Sequence, residues 1–142
     1  MARPKSYRDL VLWQKAMALA RHAYVLTENL PKREAFGLVD QIRRAAVSVP
    51  SNIAEGYGRF SDLQFRHFPG DARGSLYEMQ TQVELAAELG YFDKESGRQL
   101  MEQGQEVVRV LNGLLKSLSR GTVPVDALGN SASNANAAHP AS

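Results

Sequence analysis

Four long stretches with the apolar periodicity of an α-helix, separated by short breaks, fill the first 120 of the 142 residues. They cover about residues 8–29, 34–57, 61–90 and 93–120. Because connections of a few residues make consecutive helices antiparallel, this pattern predicts an up-down-up-down four-helix bundle over residues 1–120. No segment alternates apolar and polar residues with a period of two, so we expect an all-α fold.

The boundaries of these stretches carry local signals for helix ends. Capping boxes begin at Ser6 and Ser61, and Asp93 is placed to cap the fourth helix. Pro31 ends the first stretch and Gly90 ends the third, since the residue before proline avoids the α region and glycine favours the left-handed helix end.

Two prolines lie inside the predicted helices. Each removes a backbone hydrogen bond and costs roughly 3 kcal/mol in a straight helix. We expect a kink between Val47 and Pro50 in the second helix. In the third helix, glycine follows proline at Pro69 and Gly70 and adds a cost of about 1 kcal/mol, so an interruption is expected there.

The heptad columns separate the first helix from the others. In the second, third and fourth helices the apolar residues fill two or three of seven columns, which is the face that a bundle helix needs. In the first helix five of seven columns are apolar. This width favours burial against another subunit of a homo-oligomer, and the residues we expect at that interface are Leu12, Trp13, Leu19 and Leu26. The alternative is a central helix in one chain whose small alanines face water.

Residues 121–142 differ in composition from the rest. They are small, polar and interrupted by proline and glycine, with Asp126 as the one charge. Such a segment buries too little apolar area to offset its ordering entropy, so we expect a flexible, disordered tail.

Net charge is small but unevenly distributed. The chain has 17 Lys and Arg and 15 Asp and Glu, a formal charge of +2. Residues 1–73 hold 12 Lys and Arg against 7 Asp and Glu, whereas residues 74–120 hold 5 against 7. The basic half suits phosphate groups, because guanidinium is planar and always charged. The candidate nucleic-acid-binding residues are Lys15, Arg21, Arg43, Arg44, Arg59, Arg66 and Arg73. The alternative is a solvated face with local ion pairs, for example from Asp40.

Several functional classes lack their sequence signals. The chain has no Cys, and no motif of a P-loop, a zinc protease or a serine hydrolase is present. Neither His22 nor His67 has the glutamate three residues earlier that a di-iron bundle needs. We therefore expect no catalytic residues, no metal and no cofactor. The absence of cysteine, of a signal peptide and of an apolar run of 18 residues predicts a cytoplasmic protein without a membrane partner.

Four motifs carry a resemblance to a known family. They are YRDLVLWQKA from Tyr7, FGL from Phe36, QIRRAAVSVPSNIAEGYGR from Gln41 to Arg59, and GSLYE from Gly74. Over about residues 7–119 the chain resembles the bacterial four-helix-bundle proteins called 23S rRNA intervening-sequence proteins. Relatives of that family include the accessory proteins of diversity-generating retroelements, which bind nucleic acid and a reverse transcriptase.

The resemblance implies a bundle that assembles with itself, as a pentameric ring, and partners that are RNA or DNA and a reverse transcriptase or other protein. It implies that Arg43, Arg44 and Arg59 belong to the family's motif and that Pro50 is tolerated in the second helix. The sequence departs from the pattern at 68–71, where family members usually have an uninterrupted aliphatic helix.

Two functions follow from these observations as hypotheses. The first is a homo-oligomeric helical-bundle adaptor that binds nucleic-acid backbone non-specifically through an arginine-rich face. The second is a protein–protein interaction scaffold that does not bind nucleic acid.

Overall fold

The computed structural model describes residues 6–58 and 68–119, and these residues form four α-helices and two short 3-10 turns, with no strand. The helices are α1 (Val11–Thr27), α2 (Leu38–Gly58), α3 (Phe68–Glu88) and α4 (Lys94–Ser119). The 3-10 turns, Tyr7–Asp9 and Lys32–Glu34, precede α1 and α2. The expected all-α four-helix fold is confirmed. None of the described helices is long and apolar enough to cross a membrane.

Neighbouring helices pack in the order α1, α2, α3, α4 and back to α1. Polar pairs across α2 and α3 give the antiparallel register, since Gln41 bonds to Gln82 while Ser48 bonds to Ser75. Across α3 and α4, Arg73 bonds to Asn112. The core lies between the four helices and contains the columns expected from the sequence. These include Ile42, Val49, Ile53, Leu76, Met79, Val83, Leu100, Val107, Leu111 and Leu114.

Of the two expected caps in the described residues, the one at Asp93 is present and the one at Ser6 caps a different element. The Asp93 carboxylate accepts a 2.7 Å hydrogen bond from the Ser96 backbone N–H at the start of α4, which lowers the pKa of Asp93. The Ser6 hydroxyl oxygen accepts from the Arg8 N–H. Ser6 therefore caps the first 3-10 turn rather than α1, because Leu10 is extended and separates the two. The capping box at Ser61 lies outside the described residues, as does the tail over 121–142.

The two prolines take different positions in the described helices. α2 continues through Pro50, which is buried, and the kink expected there stays a prediction. Pro69 and Gly70 both lie in the first turn of α3 as it is described. Because residues 59–67 lie outside the described residues, the expected interruption of the predicted helix over 61–90 stays a prediction. A proline in the first turn is tolerated because its missing N–H would have no intrahelical acceptor.

Gly90 ends α3 in the left-handed conformation, with a φ of 80°. Its N–H donates to Ala87 O, and the next N–H, from Tyr91, donates to Ala86 O, which is the hydrogen-bond pair of a Schellman motif. Gly90→Ala is expected to lower the free energy of unfolding by about 1–2 kcal/mol, because a Cβ is strained at this φ. Urea denaturation measures the loss. Gly90→Asn is the control and should cost less, and an equal cost in both variants would contradict the conformational explanation.

Gly113 lies inside α4, and a Cβ built on it meets no atom within 4 Å. Gly113→Ala is therefore expected to stabilise the bundle by about 0.5–1 kcal/mol, since alanine restricts the unfolded chain and favours helix. Thermal unfolding at a fixed protein concentration checks this, and a lower melting temperature in the variant would be the contrary result.

Candidate docking groove and arginine pocket

An open apolar groove runs between α1 and α2. On α1 the apolar arc is wider than the core can cover, so Trp13, Met17 and Tyr24 lie beside α2 instead of inside the bundle. On α2 the facing residues have short side chains, and they leave a volume of about 680 Å³ between the two helices. They are Val47, Pro50, Ser51 and Ala54. We call this surface the apolar groove, and it is lined by Tyr7, Trp13, Met17, Ala20, Arg21, Tyr24, Val25, Val47, Pro50, Ser51 and Ala54.

Three of the four residues expected at an oligomer interface lie elsewhere. Leu12 and Leu19 are fully buried in the isolated chain, and Leu26 is 4% exposed. They point into the chain's own core and leave no surface for a second subunit, which corrects that expectation. Trp13 is half-buried and lines the apolar groove, where its ring meets the Tyr7 ring edge-to-face at 5.2 Å.

A second opening of about 620 Å³ adjoins the groove and shares Tyr24, Val47 and Ser51 with it. Arg44, Ser48 and Ser51 converge there because they are spaced by four and three residues and lie on one face of α2. Arg43 lines the same opening. We call this opening the arginine pocket. Its lining residues are Tyr24, Asp40, Arg43, Arg44, Val47, Ser48 and Ser51.

Arg43 ties the end of α1 to α2. Its Nε donates to the Thr27 hydroxyl oxygen at 2.9 Å, and its Nη2 donates to the Tyr24 carbonyl at 3.2 Å. The guanidinium carbon also lies 4.5 Å from the centre of the Tyr24 ring. Thr27 is buried, and its hydroxyl in turn donates to the Ala23 carbonyl. Arg43 therefore donates to one hydroxyl and one backbone carbonyl at the C-terminal end of α1, in addition to lining the pocket.

Arg44 is held much more loosely. Its side chain is 80% exposed, and its Nε lies 2.9 Å from the Asp40 carboxylate one turn earlier. This is the local ion pair that the sequence offered as the alternative to phosphate binding. Exposed pairs at this spacing contribute only about 0.3–0.5 kcal/mol, so a phosphate can exchange for the carboxylate at small cost.

Two of the other candidate basic residues, Lys15 and Arg73, lie away from Arg43 and Arg44. Lys15 pairs with Glu106 at 3.3 Å between α1 and α4, and Arg73 donates to the Asn112 side chain between α3 and α4. Arg21 is exposed and lies in the apolar groove. Arg59 and Arg66 lie outside the described residues. The structure thus brings Arg21, Arg43 and Arg44 together between α1 and α2 and separates Lys15 and Arg73 from them.

The Lys15 pair gives a pH prediction. A hydrogen bond from Arg109 and the nearby Lys15 lower the pKa of Glu106 from 4.5 to about 2. A lowered pKa stabilises the folded chain above about pH 4.5, and this contribution disappears as the pH falls toward 2. Because the carboxylate is 40% exposed, screening leaves about 0.5 kcal/mol. Urea denaturation of wild type and Glu106→Gln should therefore differ at neutral pH and converge in acid, and a constant difference would contradict the assignment.

Sequence reasoning missed an exposed stripe on α3. We call it the acidic α3 face, and it comprises Tyr77, Glu78, Thr81, Glu84, Leu85 and Glu88. Apolar heptad columns indicate only the core side of a helix, and a column that mixes glutamate with tyrosine and leucine does not stand out among them. The i, i+4, i+7, i+8 and i+11 spacing from Tyr77 was the available signal. A second exposed apolar side chain is Phe36, in the turn before α2, at 97% exposure.

The described residues contain no group of three or more His, Asp or Glu that could hold a metal ion. Fold and surfaces together define a small four-helix bundle with the apolar groove and the arginine pocket on one side. The sequence profile of the 23S rRNA-intervening sequence protein family matches residues 8–113, and the chain belongs to that family. No curated protein matches the sequence.

Proposed function

We propose that the chain is a cytoplasmic, homo-oligomeric helical-bundle adaptor that binds the phosphate backbone of RNA or DNA and catalyses no reaction. The observation that carries the proposal is the arginine pocket, where two guanidinium groups and two serine hydroxyls surround one opening. Arginine forks onto phosphate oxygens, and a serine hydroxyl donates to them. The Ser48 hydroxyl donates to Ser75, so Ser51 is the serine that we expect to donate to a phosphate. Contacts of this kind give affinity without reading the base sequence.

Self-association is part of this proposal, and it strengthens phosphate binding. An exposed apolar groove on a small protein favours a partner surface, and a second copy is the partner always present at equal concentration. Each added copy repeats the arginine pocket. Several weak phosphate sites on one assembly bind a polyanion more tightly than one site does, so a net charge of +2 per chain is sufficient.

Charge reversal at the exposed arginine tests phosphate binding. Arg44→Glu is expected to weaken binding of labelled single-stranded RNA and double-stranded DNA by at least about tenfold at about 50 mM salt, measured by fluorescence anisotropy. Wild-type binding should itself weaken strongly at about 200 mM salt, because bound counterions are released from the nucleic acid.

Lys94→Glu is the matched control for this experiment. It makes the same change in net charge at an exposed position at the start of α4, where a carboxylate also complements the helix dipole. It should bind nearly as wild type does. The proposal is contradicted if wild type does not bind at low salt, or if both reversals reduce binding equally.

The apolar groove favours a second candidate function, a protein-interaction scaffold without nucleic-acid affinity. Its lining contains a tryptophan, a methionine and two tyrosines around one charged residue, which is the composition of a protein-docking surface. A reverse transcriptase as the docked protein is what the family resemblance implies, and it stays a prediction. Partner binding that is insensitive to salt, together with no binding of RNA or DNA, would favour this candidate.

A further inference from the structure

The acidic α3 face is an apolar and anionic stripe on the outside of the bundle. Its residues all lie opposite the core-facing side of α3, which is formed by Ala72, Leu76, Met79, Val83 and Ala86. Tyr77 is 49% exposed and Leu85 is 46% exposed, and Leu89, at 53%, continues the stripe beyond the helix end. These large apolar groups are in water although the core-facing positions of the same helix are fully packed.

The charges of this stripe are all of one sign. Glu78, Glu84 and Glu88 are exposed, and none has a Lys or Arg within ion-pair distance in the part of the chain that the structure describes. No lysine or arginine occurs on the stripe itself. A partner that covers Tyr77 and Leu85 therefore has to present cations beside an apolar surface, since an anionic partner would be repelled.

The apolar groove has the opposite character. Among the described residues that line it, Arg21 is the single charged one and none is acidic. At one end, the exposed Arg8 guanidinium lies 4.7 Å from the centre of the Tyr7 ring, and Tyr7 lines the groove. At the other end the groove merges with the arginine pocket, where Arg44 is exposed. Cationic side chains thus lie at both ends and in the middle of the apolar groove.

The two surfaces also agree in length. From Trp13 to Val25 the groove follows α1 for about 18 Å, at 1.5 Å per residue. From Tyr77 to Glu88 the acidic α3 face extends about 17 Å by the same rise. One helix can therefore lie along the groove with its apolar residues inward and its glutamates against the arginines.

We propose that the acidic α3 face of one copy seats in the apolar groove of a second copy. This inference rests on the homo-oligomeric part of the proposed function and names the two surfaces that meet. Because they are different surfaces, each chain offers one of each, and the contact is head-to-tail. Such contacts produce assemblies of three or more copies that close into a ring, or an open filament, rather than a two-fold dimer.

Two surface variants each disable one side of this contact. Val25→Asp places a carboxylate in the groove, and Leu85→Asp places one on the acidic α3 face; both positions are exposed, so the core is unaffected. Wild type is expected to have a mass in light scattering of at least three times 15.6 kDa. Each variant alone should be a folded monomer, with unchanged circular dichroism. Gln105→Asp, on the exposed side of α4, is the control and should assemble as wild type does.

Mixing the two variants gives the sharpest outcome. The Leu85→Asp variant has an intact apolar groove, and the Val25→Asp variant has an intact acidic α3 face. These two surfaces can pair once, and the remaining two are both disabled, so the mixture should form a species of two chains and nothing larger. A mixture that stays monomeric overturns the head-to-tail contact, as does an oligomeric Leu85→Asp. If such an oligomer still binds RNA, the inference alone fails and the proposed function stands. A monomeric wild type would instead remove the homo-oligomer from the proposed function.

Discussion

Leu19→Ala is expected to lower the free energy of unfolding by about 3 kcal/mol, within the range of about 2–5 kcal/mol for a leucine truncated in a packed core. Leu19 is fully buried in the single chain and is among its largest buried side chains. The truncation removes apolar contacts and leaves a cavity that the surrounding helices fill only in part. Urea denaturation at a fixed protomer concentration measures the loss, because assembly makes stability depend on concentration.

Val25→Ala is the matched control for Leu19. Val25 lies on the same helix but is 64% exposed, so its truncation should change the stability of the chain itself by no more than about 0.5 kcal/mol. Leu19→Ala should retain the wild-type mass in light scattering, since its side chain does not reach the surface. If Leu19→Ala instead loses little stability and no longer assembles, Leu19 lies at the subunit interface that the sequence suggested and not in the core.

Arg43→Ala is expected to cost about 2 kcal/mol, whereas Arg44→Ala should cost less than about 0.5 kcal/mol. The neighbours differ because Arg43 makes two hydrogen bonds to the end of α1 and stacks on Tyr24, while Arg44 has only its exposed pair with Asp40. Removing Arg43 also leaves the buried Thr27 hydroxyl without one of its partners. Urea denaturation of the two variants in parallel gives the comparison.

Arg43→Lys refines this test. Lysine keeps the charge but cannot present the planar fork that reaches both Thr27 and Tyr24, so it should recover less than half of the lost stability. Equal costs for Arg43→Ala and Arg44→Ala would contradict the structural role of Arg43. Because a change at Arg43 also destabilises the fold, Arg44 is the residue whose charge should be reversed when nucleic-acid binding is measured.

The sequence predicts what depends on local periodicity and on turn chemistry. Columns of apolar residues identify the core sides of α2, α3 and α4, because a buried stripe repeats every three to four residues. Gly90 and Asp93 mark the end of α3 and the start of α4, since a left-handed residue and a cap are local requirements. The four helices and their order therefore follow from residue patterns alone.

The surfaces could not be predicted in the same way. The apolar arc of α1 is wide enough for two contacts, and only packing decides that the side with Leu12, Leu19 and Leu26 faces the core while the side with Trp13 faces the groove. Arg43 looks like a free cation in the sequence because its partner, Thr27, is sixteen residues away on another helix. A count of basic residues likewise does not show that Lys15 and Arg73 lie on other sides of the bundle.

Self-association is the claim on which both the repeated arginine pocket and the head-to-tail contact depend. The most direct measurement is the mass of the wild-type chain by light scattering after size-exclusion chromatography, at several protein concentrations. We expect a mass of at least three times 15.6 kDa. A mass of 15.6 kDa at every concentration would contradict it.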